Sequence, residues 1–213
     1  MIHRILASFV VLLTIALITH FALADFPKPS PYPIAWELTF DHGAPRRIVV
    51  DTPGAVAPKA YWYMTYSVTN QTDSEQVFLP RFELLTQDGR VIRSDVDVPA
   101  AVFRRIKDVE GNRFLEPFTS IGGELRIGED EARDGVAIWE EPGPRMGKFS
   151  IFVSGLSGET HIMKDPQGQV MKDAEDRPII LRKTLQLDFS VPGDEMYPGE
   201  DPVKQTGEQW IMR

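Results

Sequence analysis

Read for hydrophobic and polar positions, the chain is dominated by a period of two. In KAYWYMTYSVTN, Trp62, Met64, Tyr66 and Val68 alternate with Tyr61, Tyr63, Thr65, Ser67 and Thr69. That is the pattern of a long aromatic and β-branched strand ending at the polar turn NQTDSE, and its Trp62–Val68 side is the expected core face. VFLPRFELLT reads as the next strand, with Pro80 marking a bulge or an edge. It turns at Gln87-Asp88-Gly89 into RVIRSD, a hairpin signal. IAWELTF and RRIVVD come before these strands; VAIWEE, KFSIFVSG, THIM and IILRKTLQLDFSV come after, and Pro192-Gly193 stops the last. Short strands divided by Gly/Pro turns predict an all-β, antiparallel sandwich.

One segment changes period. DVPAAVFRRIKDVEGN sets Val102, Phe103, Ile106 and Val109 on one face and Arg104, Arg105 and Lys107 opposite, so one short inserted helix is expected over about 98–110. Pro99 sits where a helix start tolerates it, and Gly111 suits the left-handed position that ends one. GNRFLEPFTS after it reads as irregular.

The two ends of the chain follow different patterns. Residues 1–24 read as a signal peptide: MIHR supplies a positive start, Ile5 to Ile18 is almost wholly apolar, and Ala22-Leu23-Ala24 fits a cleavage site. The alternative is an uncleaved N-terminal membrane anchor. No cysteine follows, which excludes a lipid-anchored form. Residues 25–33 (DFPKPSPYP from Asp25) form a Pro-rich extended linker. The sandwich is expected over 34–192, and an acidic, Pro/Gly-rich tail without a packed core over 193–213. Trp210-Ile211-Met212 is too apolar for a solvated tail, so it either straps back onto the domain or anchors a partner.

Composition narrows the compartment and the partners. With Cys 0, an exported chain must be stable by packing alone, without disulfides. The net charge of -8 becomes one unit more acidic once Arg4 leaves with the leader. Such a surface repels phosphate backbones and argues against nucleic acid.

Candidate chemistry is sparse. In GEDEARDGVAIWEE the acids Glu129, Asp130, Glu131 and Asp134 suggest a metal loop. They are mostly consecutive rather than alternate, however, and Arg133 interrupts them, which fits a solvated turn ahead of the strand Val136–Trp139. In that strand Val136 and Ile138 face one side, Ala137 and Trp139 the other. Beyond the leader only His42 and His161 remain. His161 and Met163 share one side of a strand, a pairing that suits Cu(I), although strand methionines are ordinarily core filler. Tyr61 and Tyr63 could form a flat platform for sugar rings, or simply pack. No serine elbow, cysteine nucleophile or phosphate loop is present, so no catalytic residue and no cofactor is expected.

YWYMTYSVTN, RVIRSDVDVPAAV, GEDEARDGVAIW, FVSGLSGET and ILRKTLQLDFSVPGD together resemble an uncharacterised family of bacterial exported proteins. The resemblance covers most of Trp36 to Asp194 and implies a single immunoglobulin-like β-sandwich behind a signal peptide. It carries no catalytic residue over. In a bacterial setting the acceptor pattern Asn70-Gln71-Thr72 has no expected use. The combined expectation is a non-catalytic binding or accessory module, periplasmic or extracellular, that engages a protein partner. The alternatives are a small-ligand binder, for a carbohydrate or a metal ion, and an enzyme with an unrecognised site.

Overall fold

The computed structural model describes residues 26–52, 56–143, 146–191 and 203–213, and the expected leader lies outside them. The described chain is all-β apart from two helices, and its strand pairs are antiparallel. In the first sheet β1 (Thr39–His42) and β2 (Arg46–Val50) share one edge of β3 (Lys59–Thr69). The other edge of β3 carries β8 (Arg133–Glu140). Between these strands β4 (Gln76–Phe78) pairs with β7 (Gly123–Leu125) in a small separate ribbon. The second sheet runs β12 (Lys204–Met212), β11 (Ile180–Ser190), β9 (Lys148–Ser154), β5 (Arg81–Thr86), β6 (Val91–Arg93). β10 (Thr160–Ile162) joins the start of β11. Pro80 divides β4 from β5, as its missing N–H requires.

Alternation sets the layers. Trp62, Met64, Tyr66 and Val68 of β3 meet Phe82, Leu84, Phe149, Ile151, Val153, Leu185, Leu187 and Phe189 of the second sheet. Each such burial contributes roughly 1.5–3 kcal/mol. Aromatic pairs bridge the gap: Tyr66 to Phe82 at 4.8 Å and Trp62 to Phe149 at 5.9 Å between ring centroids. Gly135 lies in β8 opposite Tyr66, whose ring lies across it. A Cβ there would stand 2.4 Å from the Tyr66 ring.

The other face of the first sheet is also buried. Helix α1 (Ala100–Glu110) lays Val102 and Ile106 over Tyr61, Tyr63, Val136 and Ile138. It ends at Gly111, whose φ of 64° and N–H to the Lys107 carbonyl close the last turn. The segment expected to be irregular contains a short second helix, α2 (Phe118–Ile121). The order of layers is therefore helix, sheet, sheet, and no helix among the described residues covers the outer face of the second sheet.

The expected tail needs correction. From Lys204 it is β12, paired with β11 along its length, with Trp210 against the core and Met212 buried. Strapping is the reading the geometry supports, and residues 192–202 lie outside the description. The N-terminal linker is held as well, since the Ser30 N–H donates to Glu159 Oε1 at 2.7 Å. That carboxylate neighbours Lys183, whose Nζ donates to Glu37 Oε2 at 2.6 Å, stands 3.5 Å from Glu159 Oε2 and lies 4.9 Å over the Trp210 ring.

Beyond β10 the chain makes an arm with an internal repeat. Met163 N–H donates to the Ile179 carbonyl, Ile179 N–H to Met171, and Met171 N–H to Met163, each at 2.9 Å. Three backbones thus bond in a ring, and two turns project from it. Asp165 Oδ1 accepts from Gln167 and Gln169 N–H in one turn; Asp173 Oδ1 accepts from Glu175 and Arg177 N–H in the other.

Candidate functional site

The outer face of the second sheet, which no described helix covers, carries a shallow dish of about 350 Å³ lined by Arg81, Glu83, Phe152, Ser154, Ile180, Arg182, Thr184 and Arg213. Strand period places them: residues 81 and 83, 152 and 154, and 180, 182 and 184 alternate with inward apolar positions on β5, β9 and β11. Register then aligns the rows, with Arg81 opposite Ser154 and Glu83 opposite Phe152. Arg182 and Arg213 exchange both backbone bonds, at 2.7 and 3.0 Å, so their side chains leave the same face side by side.

Glu83 is the floor, only 8% exposed. One of its oxygens accepts from Arg81 and the other from Arg213. The Arg213 guanidinium also lies 4.3 Å from the centroid of the Phe152 ring. Arg182 is exposed, and among the described residues its side chain has no hydrogen-bond or ion-pair partner. Three guanidinium groups against one carboxylate give this spot a positive balance in a chain of net charge -8. An arginine fork of this kind suits a planar carboxylate.

The residues singled out from the sequence lie elsewhere. Tyr61 and Tyr63 are 1% and 2% exposed beneath α1, and Tyr63 Oη donates to Glu110 at 2.7 Å, so the sugar platform is overturned. The period-two pattern offered one buried face of β3; the helix buries the second. Glu129, Asp130 and Glu131 form a 3-10 turn, while Asp134 accepts from Asn112 at 2.7 Å at the start of β8. Glu131 faces Arg126 at 3.8 Å, and Arg133 pairs with Glu116 rather than with the acids beside it. His161 is exposed and Met163 half-buried at the base of the arm, away from His42 of β1. Among the described residues no three His, Asp or Glu side chains converge as a metal site. Asn70 is fully buried and bonded through both amide atoms, out of reach of any modifying enzyme.

A second polar spot is structural. Asp95, at φ 60° after β6, donates its N–H to the Ile138 carbonyl on the open edge of β8 at 2.7 Å. Its Oδ2 is enclosed without a hydrogen-bond partner, as are Tyr66 Oη and Ser94 Oγ. Burial pushes the Asp95 carboxyl from 3.8 up to about 6. A carboxyl that keeps its proton longer in the fold than in the unfolded chain stabilises the fold below pH 3.8, and that contribution is lost as pH rises through about 6. The ionised group therefore costs roughly 3 kcal/mol at neutral pH. Asp95→Asn, which tolerates the positive φ, is expected to raise Tm at pH 7.5 by roughly 5–10 °C. The gain should shrink to almost nothing at pH 4; equal melting of the two proteins at pH 7.5 would refute the assignment.

No family model matches the chain, no curated protein is found similar to it, and no solved structure matches its fold.

Proposed function

We propose that the chain is a non-catalytic binding or accessory module, an exported immunoglobulin-like sandwich, that engages a protein partner by holding a carboxylate in the arginine dish. The carrying observation is Arg182, a guanidinium that no described residue pairs, beside Arg213 on a sheet face that no described element covers. Two packed antiparallel sheets suit an immunoglobulin-like sandwich. Export rests on the leader pattern and the lack of cysteine. The non-catalytic reading rests on Glu83, whose two oxygens are both engaged by arginines, leaving the dish without a free general base. Its openness favours a protein segment over a small molecule, because small-ligand pockets enclose most of what they bind.

Anisotropy of fluorescein-labelled hexaglutamate at low salt tests this reading. The native protein should bind it, Arg182→Ala should bind about tenfold more weakly, and added salt should weaken binding further. Equal affinity of the Ala variant, or no binding by the native protein, refutes it.

A further inference from the structure

The dish does not end at Arg182. On β11 Ile180 stands two residues before Arg182 and on the same face, and in β10 Ile162 is directly opposite Ile180. The two isoleucines are 45% and 46% exposed, unusual for a directly opposed apolar pair. Two residues beyond Ile162, past the end of β10, the exposed Lys164 bridges Val170, which is also exposed, and the strand period carried that far sets Lys164 on this face. Among the described residues the Lys164 side chain has no hydrogen-bond or ion-pair partner. The outer surface thus forms one ledge, basic at Arg182 and Arg213, apolar at Ile180 and Ile162, and basic again at Lys164, with Val170 across from it. Strand rise spaces these zones by about 7 Å.

We infer that the segment taken by this ledge is an extended acidic peptide of the pattern acid-x-apolar-x-acid, an inference that rests on the carboxylate-binding reading of the dish. An extended chain places residues i, i+2 and i+4 on one face at the same spacing of about 7 Å. Its first carboxylate meets the Arg182 and Arg213 guanidinium groups, its apolar side chain covers Ile180 and Ile162, and its second carboxylate reaches the Lys164 ammonium. Charge complementarity selects this occupant: the two cationic ends match two separate carboxylates, and the apolar middle adds a contact that a purely acidic segment lacks. The ledge contacts its occupant from one side only, which a strand lying flat permits and a compact metabolite does not.

The test uses three labelled heptapeptides, Gly-Glu-Ser-Leu-Ser-Glu-Gly, the same with Ser for Leu, and the same with both Glu replaced by Gln, titrated with the full chain. The first should bind at least tenfold more tightly than the second, and the third should not bind. In Ile180→Ser the preference for Leu should disappear while the first two peptides still bind; in Lys164→Ser the first peptide should weaken severalfold. If the native protein binds the Leu and Ser peptides equally, the ledge fails and the carboxylate reading survives. If neither acidic peptide binds and hexaglutamate also fails, both readings fall. Loss of peptide binding on self-association would instead assign the ledge to a second copy of the chain and overturn the inference. All substituted side chains are exposed, and unchanged melting of each variant checks that folding is intact.

Discussion

Asn70→Ala is expected to destabilise the protein by about 3–5 kcal/mol, seen as a lower urea midpoint at unchanged slope. Asn70 ends β3 in a fully buried position where its amide does four things at once. Nδ2 donates to the Ser74 and Leu125 carbonyls, both at 2.9 Å. Oδ1 accepts from Thr72 N–H at 3.0 Å and from Thr72 Oγ1 at 2.7 Å. The side chain therefore closes the turn after β3 and ties it to β7, while its own carbonyl accepts from Gly128 N–H at 2.9 Å. Alanine deletes both donors and the acceptor: the buried Leu125 carbonyl loses this bond, while the exposed Ser74 carbonyl keeps Thr72 Oγ1 as a donor. Asn70→Asp keeps the acceptor, but it turns a buried donor into a charge facing two carbonyl oxygens, so it should be at least as damaging. Thr72→Val, which removes only one hydroxyl, should cost about 1 kcal/mol. An Asn70→Ala cost below that of Thr72→Val would show that the amide is not the hub of this turn.

Lys183→Met is the second large effect, again about 3–5 kcal/mol, or roughly 10 °C in Tm. The lysine is 4% exposed at one end of the core, with Glu37 and the equally enclosed Glu159 as its counter-ions. Methionine preserves the stem and much of the packing against Trp210 but strands Glu159 as a buried, uncompensated carboxylate. The expected cost is therefore that of the orphaned charge rather than of a cavity. A second substitution separates these causes. Lys183→Met combined with Glu159→Gln should recover a large part of the loss. A double variant no more stable than the single one would mean that packing, not charge, sets the cost. The linker depends on the same group through Ser30, so its attachment to the sandwich should weaken together with it.

Much of this architecture was legible in the alternation of side chains. β3, β5, β8, β9 and β11 each show the period of two, and Ala137 and Trp139 face the inter-sheet core while Val136 and Ile138 face α1. The helix declared itself through Val102 and Ile106, one turn apart, and through Gly111. β12 did not, because KQTGEQ carries no apolar alternation. It is an edge strand whose contribution to the core begins only at Trp210. The burial of Tyr61 and Tyr63 had a trace in the sequence: the run Tyr61-Trp62-Tyr63-Met64 is apolar on both faces, the mark of a strand covered on both sides. The dish left no local trace. Arg81, Phe152, Arg182 and Arg213 belong to four separate stretches, and each reads as an ordinary solvent-facing position until sheet register brings them together. The acidic run before β8, in contrast, was conspicuous as a string of letters, yet it folds into a 3-10 turn whose carboxylates do not converge.

The ring of backbone bonds in the arm has an evolutionary corollary. Met163, Met171 and Ile179 are separated by equal steps of eight residues, each step running through an aspartate-led turn. Excising one step would join Ile162 directly to Met171, whose bond with Ile179 then closes a plain hairpin in the same register as β10 and β11. Chain length can therefore drift here in quanta without shifting the frame, which makes the arm a natural graft point whose reach can be altered while the sandwich stays as it is.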